Sequence, residues 1–142
     1  MNFAEIDIKL LLPQQDPFLF VDKLVNADQN SCITEFVIKE STLFVENQVL
    51  LESGIIENMA QTCAAQIGFI NLFLLNEKVK KGFIGAIRNL NIYNQPKVNE
   101  NLITSLAVQA DVMGMKLVTI EVVTNVMKIA DCEMKISIYE EQ

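Results

Sequence analysis

The chain has 142 residues, of which 51% are hydrophobic and 20% charged, enough to close one core over residues 1–142 and too little for two well-packed domains or a disordered chain. Eighteen acidic residues against eleven basic ones give a formal charge of −7, the wrong sign for wrapping a phosphate backbone, so nucleic acid is excluded as an expected partner. Cys32, Cys63 and Cys132 are far apart and odd in number, which argues against a disulfide framework or a CxxC metal site and for a reducing, cytoplasmic setting.

The segment MNFAEIDIKLLL places acids before its apolar run, unlike a secretory signal. From Ile6 to Leu12 the pattern predicts a short helix, stopped by Pro13 and Pro17, which force an extended path afterwards. Phe18–Val25 and Ser31–Lys39 are rich in Phe, Val and Ile and flank the turn-like DQNS, so they read as a hairpin. LFVENQVLLESG is less regular. Ser53 and Gly54 then lead into IIENMAQTCAAQIGFINLFLLN, about 20 residues and about 30 Å long as a helix. Ala60, Ala64 and Gly68 recur on one face of it, low enough for a sheet to approach closely. Residues 58–76 carry no charge, a length that fits a membrane span. Gln61, Thr62, Gln66 and Asn71 inside it are costly in hydrocarbon, so a buried core helix is the expected reading and no membrane span.

From Gly82 onward FIGAIRNLNIYN, NLITSLAVQADVM, KLVTIEVVTNVM and CEMKISIYEE show β-branched enrichment and partial alternation, predicting four further strands. The breaks NQPKVNE and MGMK are too short for helical crossovers, so the strands are expected to pair antiparallel. The expected class is α+β, a curved antiparallel sheet wrapped around one long central helix.

LLPQQDPFLFVDKLV and GIIENMAQTCAAQIG, in this order and on these elements, resemble the hot-dog fold 3-hydroxyacyl-acyl-carrier-protein dehydratases, and KGFIGAIRNLNI resembles their branch in aryl-polyene type pathways. The resemblance implies a dimer, an acyl carrier protein or other acyl thioester as partner, and no cofactor. In that family a turn of the form L-P-H-x-x-P-F supplies a histidine base from one subunit. The helix of the other subunit supplies an acid for the departing β-hydroxyl, and a backbone amide at the helix start polarises the thioester carbonyl. The acid falls on Glu57, with Gln61 one turn later, and the histidine falls on Gln14. The chain contains no histidine, and a glutamine amide exchanges no proton near neutral pH.

Asp16 is the titratable group nearest that position and a candidate base; QQD also reads as a plain polar turn. Glu57 equally fits a carboxylate at a helix N-terminus. By the same resemblance Phe18, Gly54, Ile55 and Gly85 are the candidate substrate-binding residues. Lys78, Lys80, Lys81 and Arg88, the only arginine, form an acid-free basic run suited to docking an acidic carrier or to plain solvation. Cys63 is expected to be a small buried hydrophobe, and Met59, Met113 and Met115 to fill the core or an acyl tunnel. No Asp, Glu or Cys spacing suits a metal. The chain thus reads as an acyl-thioester dehydratase-like protein with an incomplete dyad, either a homodimer with poor or no turnover or a subunit paired with a histidine-bearing paralogue. A carboxylate-assisted thioesterase and a non-catalytic binding subunit are the alternatives.

Overall fold

A computed structural model describes residues 1–139, with the backbone alone at Lys81 and Tyr139. Strands β1 (Lys23–Ala27) and β2 (Ser31–Val37) form the first hairpin, and β3 (Val45–Glu46) and β4 (Val49–Leu50) a small one of their own. Helix α1 (Glu52–Phe69) follows and runs into a π turn over Ile70–Leu74. Strands β5 (Lys81–Ile92), β6 (Asn101–Val112), β7 (Met115–Val123) and β8 (Lys128–Tyr139) complete the chain. Six strands make one antiparallel sheet in the order β1-β2-β6-β7-β8-β5, wrapped on α1 in the expected hot-dog arrangement.

Alternation decides which strand face meets the helix. Along β7, Lys116, Val118, Ile120 and Val122 are buried and their neighbours more open. Together with Leu102, Leu106, Met134 and Ile136 they close on Ile55, Met59 and Cys63 of α1. Because α1 is covered nearly all round, its apolar residues do not keep to one stripe. Register shifts in β5 at Ile84/Ala86 and Arg88/Asn91 bend that strand around the core. The β6–β7 turn has φ of 54° at Met113 and 78° at Gly114, the left-handed pair that a two-residue hairpin requires. No helix among the described residues is long and apolar enough to cross a membrane.

Five details differ from the sequence reading. Ile6–Leu12 is not one helix: Phe3–Glu5 and Ile8–Leu10 are separate 3-10 turns, because Asn2 and Asp7 each accept from the amide two residues on and restart the chain. Strand β1 begins later than Phe18, since the Phe18 carbonyl and both backbone polar groups of Phe20 are taken by side chains of α1. Helix α1 begins at Glu52, ahead of Gly54. The break between the last two strands lies over 124–127, where Thr124 Oγ1 accepts from the Val126 amide, rather than after Met127. Met59 is in the core as expected, but Met113 and Met115 stand exposed at the β6–β7 turn.

Candidate functional site

The site is assembled from one face of α1 and the extended segment before β1. The Phe20 amide donates to Gln61 Oε1 at 2.7 Å, and Gln61 Nε2 donates to the Phe18 carbonyl at 2.8 Å and to Glu57 Oε1 at 2.9 Å. Gln61 therefore fixes the path of Phe18–Phe20 and the rotamer of Glu57 at once. Asn58 repeats the device one turn earlier: its Nδ2 donates to the Phe20 carbonyl at 2.8 Å, and its Oδ1 accepts from Thr104 Oγ1 at 2.6 Å. The Thr62 hydroxyl, 2.9 Å from the Asn58 carbonyl, lies 2.8 Å from that of Thr34. This buried ladder ties α1 to the segment before β1, to β2 and to β6, and it accounts for polar residues in the uncharged run. Sequence pattern alone does not single out Asn58; only its place beside Gln61 on the helix hints at it.

Glu57 borders a cavity of about 260 Å³ together with Gln14, Ala60, Cys63 and Ala64 of the same chain and Phe83 and Ile84 of β5. The resemblance implied that the two dyad positions come from different subunits; here Gln14 and Glu57 open onto one space within a single chain. Among the described residues the buried Gln14 Oε1 has no hydrogen-bond partner, an acceptor open to a substrate donor. The small-residue face of α1 serves two purposes. Ala60 and Ala64 leave room for the cavity, and a Cβ on Gly68 would meet the Leu11 carbonyl oxygen at 2.5 Å, so the N-terminal segment crosses there.

The other candidates lie elsewhere. Asp16 is exposed, with Lys9 3.7 Å away, and does not line the cavity. Phe18 is exposed and contributes its carbonyl to Gln61. Gly54 is buried where a side chain would run into Leu50, Ile55 is core, and Gly85 sits at the first β5 bulge. The Gly54 and Ile55 amides both donate to the Leu51 carbonyl, so neither is left to polarise a thioester. Lys78 is exposed, and Lys80 pairs with Glu77 at 2.9 Å; the Lys81 side chain lies outside the described residues. Arg88 is roughly seven residues further along β5, about 23 Å at ~3.3 Å per residue, opposite Glu133. The basic run is therefore split and does not make one patch.

Burial disposes of the thiols as nucleophiles. It pushes Cys32 up to about 12 and Cys132 to about 11, and Cys63 higher still. Cys63 borders the cavity, but its Sγ contacts Met134 Sδ at 4.0 Å.

A protein-family model described as ApeP dehydratase matches residues 6–139. The dehydratase heterocomplex ApeI:P from Xenorhabdus doucetiae superposes with a TM-score of 0.87 at 13% identity, covering 96% of this chain and 93% of that one. Cj0977, a sigma28-regulated virulence protein from Campylobacter jejuni, gives 0.74 at 11% identity, with 99% and 91% covered. A hypothetical thioesterase with coenzyme A from Streptococcus pneumoniae gives 0.68 at 6%, with 84% and 86% covered. No curated protein sequence matches the chain.

Proposed function

Because the chain belongs to the ApeP-like dehydratase family, we propose that it is the histidine-free subunit of an acyl-thioester dehydratase. It holds a carrier-bound 3-hydroxyacyl chain and supplies the acid, and a histidine-bearing hot-dog partner supplies the base. The observation that carries this reading is the shared cavity of Glu57 and Gln14, with Glu57 oriented by Gln61.

Elimination removes a proton from the α-carbon and the hydroxyl from the β-carbon. The hydroxyl takes a proton from Glu57 and leaves as water, and the electrons of the broken C–H bond form the double bond. Gln14 cannot accept that α-proton, but its unpartnered Oε1 can receive a hydrogen bond from the 3-hydroxyl and so position it. Hence the base comes from outside the chain.

The unpaired edge of β5 supports an external partner. Ile84, Ile87 and Leu90 are exposed there, along a twelve-residue strand that has no neighbouring strand on its outer side among the described residues. A long apolar edge of this kind invites strand pairing. The opposite edge, β1, has five residues and begins with Lys23, which discourages it. The Xenorhabdus doucetiae structure is itself a heterocomplex. Lys78, which is exposed, remains to attract an acidic carrier.

The test is turnover of a 3-hydroxydecanoyl carrier thioester, following enoyl absorbance and thiol release together. The purified chain should bind the thioester and release neither product, and a histidine-bearing hot-dog subunit should elicit enoyl formation that Glu57→Gln abolishes. Glu57-dependent enoyl formation by the chain alone would overturn the need for a partner, and thiol release would make it a thioesterase.

A further inference from the structure

On the far side of Ile67, which borders both spaces, lies a second cavity of about 620 Å³ at the C-terminal end of α1. Ile67, Ile70, Val108 and Ile138 form its apolar wall, exposed or half-buried polar residues such as Asn30, Lys80, Gln109 and Asp111 line the rest, and its two buried polar residues are Asn71 and Lys116. Lys116 is in phase with Val118, Ile120 and Val122 on the core face of β7 and is only 4% exposed. Among the described residues its ammonium has no hydrogen-bond or ion-pair partner. Asn71, 5% exposed, presents an Nδ2 that is buried and without a partner. The π turn, closed by the Leu75 amide on the Ile70 carbonyl at 2.9 Å, is where Asn71 is set.

We propose that this cavity binds a carboxylate carried on an apolar chain, with the Lys116 ammonium and the Asn71 amide holding the headgroup. The ammonium and the Asn71 Nδ2 both donate only, so their common ligand is an acceptor, and an ammonium on a lysine this little exposed selects a charged one. The space is far larger than an inorganic anion needs, and its Ile67, Ile70, Val108 and Ile138 wall suits a hydrocarbon body. Asp111, across the β6–β7 register from Lys116, is the chain's own competing carboxylate; it is exposed at the mouth and only partly offsets the burial that holds the lysine below its usual range. The site is independent of the dehydratase reading, since none of its polar groups touches the Glu57 cavity.

Calorimetric titration of the full chain with decanoate tests this, with decanol and inorganic phosphate as comparison probes. Decanoate should bind saturably, decanol about tenfold more weakly or worse, and phosphate should not compete. Lys116→Met should lose about tenfold in decanoate affinity while melting no lower than wild type, and Asp111→Asn should gain several-fold. Lys116→Gln, which keeps a polar end, checks that any loss tracks charge. Undiminished binding in Lys116→Met, equal binding of decanol, binding of phosphate in place of decanoate, or no saturable binding at all would each overturn the assignment.

Discussion

Around Asn58 and Gln61, in the N-terminal half of α1, the buried amides are engaged by the backbone of Phe18 and Phe20, by Thr104 and by Glu57. Around Asn71 and Lys116, past the C-terminal end of the same helix, both residues are buried, and among the described residues neither the Asn71 Nδ2 nor the Lys116 ammonium has a partner. Sequence places all four in comparable company, polar residues among apolar ones. Their partners divide them: a satisfied polar group holds the fold, and an unsatisfied one is available to a ligand. Gln14 Oε1 belongs with the second kind although it sits beside the first.

Four substitutions sharpen or break that contrast, from the largest effect down. Asn58→Leu strands the Thr104 hydroxyl and the Phe20 carbonyl and should cost about 3 kcal/mol in urea unfolding. A loss under about 0.5 kcal/mol would show that the ladder is incidental. Gln61→Leu releases Phe18–Phe20 from α1 and frees Glu57, for a loss of about 2 kcal/mol and weaker thioester retention.

Lys116→Met should move the other way, stabilising by about 1 kcal/mol, because a lysine that is 4% exposed and without a partner among the described residues is exchanged for an apolar chain of similar length. Its pH dependence has a fixed sign. The lysine is held below its ordinary value of 10.5 by burial, so the unfolded state binds more protons in the window below 10.5, and wild-type stability rises with pH there. The advantage of Lys116→Met should therefore shrink between neutral pH and about pH 10, and a constant advantage in paired urea titrations would assign the effect to packing alone. Asp16→Asn removes a carboxylate that is 75% exposed and 3.7 Å from Lys9, and should change stability by less than ~0.5 kcal/mol.

Much of the fold was legible because it follows from patterning. Alternation marked the strands and the uncharged run marked the helix, and MGMK is too short for anything but a hairpin. What was not legible depended on who bonds whom. The start of β1 shifted because helix side chains claim Phe18 and Phe20, and the Thr124 turn depends on one hydroxyl. At the site, the residues of the resembling motifs pointed to Gln14, Glu57 and Gln61, and all three meet around the Phe18–Phe20 segment and its cavity. The basic run did not survive as a patch, because strand geometry carries Arg88 away from the lysines. Lys116 left a trace in KLVTIEVV, in phase with three apolar residues. Its burial depends on the helix it faces.

The central claim is that this chain supplies the acid position and lacks the base. Gln14→His tests it most directly, measured on the purified chain with a 3-hydroxydecanoyl carrier thioester. The account predicts enoyl formation where the wild type gives none, and its loss again in the Gln14→His, Glu57→Gln double variant. A folded Gln14→His protein as silent as the wild type, or a wild type that already eliminates water, would contradict it.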